Sequence, residues 1–162
     1  MSHTIKPCLW MDSRIEEAVN FYVSLFKDGK IHNASRYSDA VPDKAGQILT
    51  MDFEVQGQHF MALNGGPDGA PMFKFTEAVS FFVPCKDQAE VDRLWNALTA
   101  NGGEESMCGW LKDRYGLSWQ IVPDRLMELT TSKEPGVAQR ATQAMFKMRK
   151  IDIAELERAA KA

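Results

Sequence analysis

Polar and apolar residues along this chain alternate in two rhythms, a short one suited to strands and a longer one suited to helices. Residues 5–11 form a short apolar run closed by Asp12, which predicts a buried strand. A helix is expected next. Ser13 and Glu16 have the S-x-x-E spacing of a capping box, and Ile15, Ala18, Val19, Tyr22, Leu25 and Phe26 recur on one helical face. Asp28-Gly29 stops that pattern, and residues 30–37 read as a strand. Residues 38–46 (SDAVPDKAG) have loop composition. Residues 47–55 alternate, with Ile48, Thr50, Asp52 and Glu54 on one side and Leu49, Met51, Phe53 and Val55 on the other. Gln56-Gly57 marks a turn, so residues 58–63 complete a hairpin. The run from Asn64 to Gly69 (NGGPDG) breaks the chain.

The pattern then starts again. Residues 78–84 (AVSFFVP) predict a buried strand, and Asp87 and Glu90 cap a helix whose apolar face is Val91, Leu94, Trp95 and Leu98. Asn101-Gly102-Gly103 ends it. Residues 105–107, 110–113 and 118–122 are three short strand candidates separated at Gly109 and Gly116. A shift of 73 residues lays Leu9 on Phe82, Ala18 on Val91, Phe21 on Leu94, Tyr22 on Trp95 and Leu25 on Leu98. Each half reads strand, helix, three strands. Strands in consecutive runs exclude a doubly wound parallel sheet and predict mixed sheets, an α+β fold. Beyond Pro123 the signal is helical: residues 124–131, residues 136–150 with Val137, Ala141, Ala144, Met145 and Met148 on one stripe, and a last helix capped by Asp152 with Glu155. The expected organisation is one domain over 1–123, with repeats 1–66 and 77–123, and a helical extension over 124–162 that packs on its own sheet or on a second subunit.

Length and composition narrow the function class. At 162 residues, 44% hydrophobic and 25% charged, the chain has the make-up of a globular domain. A net charge of −3 argues against a nucleic-acid binder. There is no apolar run of about 18 residues to span a membrane, and the first residues do not read as a signal peptide. Three cysteines suggest no disulfide framework and a reducing cytoplasm. Nine Met, nine Phe and four Trp stand against three His, so lining material is plentiful and metal-ligating or proton-transferring residues are few.

The twice-repeated βαβββ pattern resembles the vicinal oxygen chelate superfamily of glyoxalases, extradiol dioxygenases and bleomycin- or fosfomycin-resistance proteins. Within it the chain is most similar to the PhnB-like group, whose domain often carries the description 3-demethylubiquinone-9 3-methyltransferase. The residues that carry the likeness are 16–22 (EEAVNFY), 60–66 (FMALNGG), 108–123 (CGWLKDRYGLSWQIVP) and 143–153 (QAMFKMRKIDI), so it extends over nearly the whole chain. The resemblance implies half-open barrels around a cleft, a homodimer, and in glyoxalase-like members a divalent metal held by His, Glu or Gln from the first and last strand of each half.

Those ligand positions are poorly filled here. The first strand offers Lys6, Cys8 and Trp10, the end of the first half offers Ala62 and Asn64, and residues 78–82 offer Ala78, Ser80 and Phe82. Only Gln120 matches, and a neutral amide alone is a weak ligand. His32 and His59 read as surface or hairpin histidines. Methyl transfer from S-adenosylmethionine wants a glycine-rich turn from a parallel strand into a helix, and neither Gly65-Gly66 nor Gly102-Gly103 has that context. Trp10, Phe73, Phe75, Phe82, Trp110 and Trp119 are expected either to line an apolar pocket or to be plain core. Cys108 reads as a reactive thiol or a small buried residue, Asp113 with Arg114 as a substrate clamp or a surface ion pair, and Asn64 as a cleft group or a turn former. The sequence thus favours a small-molecule-binding protein without metal or cofactor, its site drawn from Trp10, Asn64, Phe75, Phe82, Cys108, Trp110, Asp113, Trp119 and Gln120. The alternatives are a metal-dependent lyase, isomerase or dioxygenase, the methyltransferase of the description, or an assembly module whose tail could be removed without emptying the cleft.

Overall fold

The computed structural model describes residues 5–67 and 73–162, which divide into two units, Met1–Lys74 and Phe75–Ala162. In the first unit, β1 (Cys8–Met11) leads into α1 (Ile15–Ser24), followed by β2 (Lys30–Arg36), β3 (Ile48–Val55) and β4 (Gln58–Asn64). The sheet order is β1-β4-β3-β2, with β1 parallel to β4 and the other pairs antiparallel. The β3–β4 hairpin turns on Gln56 and Gly57, whose φ values of 48° and 75° give the left-handed pair a tight two-residue hairpin needs. Met51, Phe53, Val55, Phe60 and Ala62 bury one sheet face together with Ile15, Ala18, Val19 and Tyr22 of α1. The predicted capping box does not start α1. The capping residue is Arg14, whose amide and guanidinium both donate to the Asp12 carboxylate.

The second unit repeats the plan. Here β5 (Ser80–Cys85) leads into α2 (Gln88–Thr99), then β6 (Glu104–Glu105), β7 (Trp110–Lys112) and β8 (Ser118–Pro123), in the order β5-β8-β7-β6 with β5 parallel to β8. Asp87 caps α2 by accepting the Glu90 amide, and Glu90 reaches back to the Lys86 amide. Val91, Leu94, Trp95 and Leu98 are buried as their spacing requires. Identical strand orders in the two units establish the repeat.

The 73-residue shift holds for the helices but fails on the opening strands. Leu9 is buried, whereas Phe82 faces away from the helix, and Val83 and Cys85 take the buried positions. A one-residue slip reverses the face of every strand side chain. The same parity corrects the placement of Ala62 and Asn64, which lie on the helix side of β4, while Met61 and Leu63 share the opposite face with Cys8 and Trp10.

Beyond β8 come α3 (Asp124–Thr130), α4 (Val137–Met145) and α5 (Ile153–Lys161), the last capped by Asp152 accepting the Glu155 amide. The predicted helix over 136–150 is thus shorter, and Met148 packs from beyond its end. Val122, Leu126, Leu129, Ala141, Met148, Ile151, Leu156 and Ala160 form one buried cluster, so the tail is part of the second unit's core. Lys150 and Arg149 pair with Asp92 at 2.7 Å and Glu105 at 3.6 Å. No described helix is long and apolar enough to cross a membrane.

Candidate functional site

Phe82, Gln120 and Trp110 lie side by side across β5, β8 and β7, because the strand registers pair Gln120 with both neighbours. Their row faces away from α2 and floors a cavity of about 510 Å³. The rim comes from the β6–β7 connection, with Ser106, Met107 and Cys108, and the wall from the tail, with Leu126, Met127, Met145 and Phe146. Four large apolar side chains around this space remain open to solvent: Phe82 at 48%, Met107 at 43%, Met127 at 48% and Phe146 at 64%. Exposed apolar groups gathered about one concavity are unlike plain core, whose side chains are covered.

The polar groups of the cavity are few. Gln120 donates from Nε2 to the Ser80 hydroxyl at 2.9 Å, which fixes the amide and leaves Oε1 without a partner among the described residues. Cys108 has a φ of 60°, and its neighbour Gly109 a φ of 84°. Their amides donate to Met148 and Arg149 carbonyls, each at 2.8 Å, so the rim is tied to the tail. A Cβ on Gly109 would lie 2.9 Å from the Ile121 carbonyl oxygen.

Four of the nine sequence-predicted residues meet here: Phe82, Cys108, Trp110 and Gln120. Trp119 points to the opposite face, because successive strand residues alternate; it is core, 5.5 Å from the Phe81 ring. Asp113 is also buried, with Oδ1 accepting the Tyr115 and Leu117 amides and Oδ2 accepting the Trp119 indole N–H at 2.9 Å. It is not among the residues that line the cavity. Phe75 is half-buried ahead of β5 and does not line the cavity. In the first unit, buried Asn64 donates to the Ile48 carbonyl and accepts the Gly66 amide, which makes it a turn former. Trp10 packs edge-on to Phe73 at 5.1 Å, and a Cβ on Gly65 would collide with its indole nitrogen. The tail residues of the wall were missed, because their helical spacing reads as ordinary core stripe.

A second cluster escaped the sequence reading. His32 of β2, Glu54 of β3 and His59 of β4 converge in the first unit. Glu54 Oε2 lies 2.9 Å from His32 Nε2, 3.4 Å from His59 Nε2 and 3.3 Å from Lys30 Nζ. The His32 hydrogen bond first, and Lys30 after it, hold the Glu54 carboxyl below the ordinary carboxylate value.

Neither group that the resemblance suggests, a divalent metal or S-adenosylmethionine, fits the cavity. Its described lining offers a thiol, a hydroxyl, thioethers and one amide, with no histidine or carboxylate, which is not a donor set for a catalytic divalent metal. S-adenosylmethionine is no better served. The β1–α1 and β5–α2 turns hold no glycine, and each sheet has a single parallel pair.

The family model described as 3-demethylubiquinone-9 3-methyltransferase matches residues 3–122, and so stops before the tail that the sequence likeness had included. The Bacillus cereus PhnB protein is 34% identical, with 75% of this chain and 99% of that one covered and a TM-score of 0.65. The protein PA1353 from Pseudomonas aeruginosa shares the fold at 24% identity, with coverages of 76% and 100% and a TM-score of 0.59. No curated protein sequence matches. With a family match over most of the chain, a PhnB relative sharing a third of its residues and the βαβββ unit present twice, the chain belongs to the PhnB-like family of the vicinal oxygen chelate fold that carries the 3-demethylubiquinone-9 3-methyltransferase description.

Proposed function

We propose that this protein binds an uncharged, largely aromatic small molecule in the second-unit cavity without a metal, and that it does so as a homodimer. One observation carries the binding reading: Phe82, Met107, Met127 and Phe146 stay exposed around a single 510 Å³ space floored by Trp110 and Gln120. That volume suits a drug-sized ligand, since such pockets span about 300–1,000 Å³. The apolar walls supply burial, the Trp110 and Phe82 rings supply stacking surfaces, and the Gln120 carbonyl oxygen accepts one hydrogen bond from the ligand. No charged side chain lines the described cavity, so an ionic ligand would lose its hydration without a partner.

The test is a thermal-shift titration with Nile red, a neutral aromatic dye, and a panel of neutral aromatic metabolites, in chelator and with added zinc or manganese. Stabilisation should not depend on metal. At a hundredfold excess over Kd it should reach about 2.7 kcal/mol. Phe146→Glu and Met127→Glu place a charge at exposed wall positions and should abolish the shift while the unliganded protein stays folded. A shift that needs metal, or that survives both variants, overturns the proposal. Light scattering tests the dimer, which predicts twice the chain mass.

A further inference from the structure

We propose that His32, Glu54 and His59 form a binding site for a divalent transition-metal ion of the zinc class. None of the three lines the cavity, and they lie on β2, β3 and β4, away from the β1, β4-end, β5 and β8 positions at which the resemblance places ligands. Three lines of geometry support the assignment.

The first is donor spacing. The three ligand atoms all lie within 4.8 Å of one another, with 2.9 Å and 3.4 Å from Glu54 Oε2 to the two imidazole nitrogens. An ion held at about 2.0–2.1 Å by nitrogen and oxygen in a tetrahedron needs donors about 3.3 Å apart, so the two Glu54 distances change by only a few tenths of an ångström while the partly exposed, stacked imidazole rings turn to converge on the ion. The second is the way the backbone delivers the ligands. Glu54 and His59 are direct cross-strand partners in the β3–β4 ladder. On the other side the ladder slips between Ile31 and Asn33, so His32 is the extra residue of a β-bulge. Bulges re-aim side chains, and this one brings His32 onto Glu54. The two imidazole rings then stack, 5.1 Å between centroids and 20° from parallel. The third is the charge balance. Two imidazolium rings that close would repel, whereas two neutral imidazoles and one carboxylate are the usual donors for zinc, nickel or copper. Lys30, the other cation near Glu54, sits on an exposed side chain that can swing into solvent as the ion enters. Three protein donors leave a coordination position open for water or an external ligand.

Calorimetry of the full, chelator-treated chain with Zn²⁺ tests the site. One saturable equivalent is expected. His32→Ala and His59→Ala should each weaken it about tenfold or more, and Glu54→Gln likewise. These side chains are partly exposed, at 37% for His32 and 53% for His59, so the variants keep the fold, which circular dichroism checks. Cobalt provides a second readout, because Cys8 and Cys108 are free thiols, exposed and half-buried, that could compete for metal. Binding at the proposed site gives d–d absorption without a thiolate charge-transfer band. Absence of a bound equivalent, an affinity unchanged in both histidine variants, or a thiolate band overturns the proposal.

Discussion

Asp113 shows how one buried carboxylate organises a turn. It receives two backbone amides and the Trp119 indole in a place closed to water. Asp113→Ala leaves those donors unpaired, each at about 1–3 kcal/mol, so a loss of about 3 kcal/mol or more is expected in urea unfolding; a loss below about 1 kcal/mol contradicts this account. Cys85 is the opposite case, a thiol whose burial suppresses its chemistry. Desolvation pushes its pKa up to about 12 from an ordinary 9.0. Above the ordinary value the unfolded chain gives up a proton that the folded one keeps, so this group's contribution is complete below pH 9.0 and is lost as pH rises toward about 12. Mass spectrometry after alkylation near neutral pH should find Cys85 unmodified in the folded protein and modified in denaturant. Other residues were legible only by type. The resemblance singled out Gln120, whereas Asp113 looked like a surface charge, because no sequence pattern reports that a turn will close over it.

At the scale of elements, local rules succeeded where the signal is local. The Asp87 and Asp152 caps start their helices as spaced, and Gln56-Gly57 makes its hairpin. Long-range parity was harder to read. Strand parity puts Asn64 and Trp119 on the helix side of their sheets, out of the expected cleft. The helix predicted over 136–150 also overran, since the apolar period continues to Met148 after the helix itself has ended. Gly109 tests the rim most directly. Gly109→Ala meets both a left-handed backbone and the Ile121 carbonyl, so it should cost about 1–2 kcal/mol and weaken dye binding, measured by unfolding and by the Nile red titration.

At the scale of the molecule, the repeated topology was legible because two halves with the same strand-helix-strand order reinforce each other. The His32–Glu54–His59 cluster was not, since its members come from three strands and meet through a register and a bulge. The cavity was half legible: its floor belongs to the motif over 108–123, its wall to helices whose composition reads as core.

The two hydrogen bonds that the Cys108 and Gly109 amides donate to the Met148 and Arg149 carbonyls make cavity and tail a single thermodynamic system. A ligand that needs the Phe146 wall gains affinity only from molecules whose tail is docked, so occupancy and docking must favour each other by the same factor. Protection of the Cys108 and Gly109 amides against hydrogen exchange therefore serves as a gauge of occupancy, and a filled cavity should slow proteolytic trimming of residues 124–162. Relatives that keep the sheet floor and exchange the tail could change what they recognise without touching a strand.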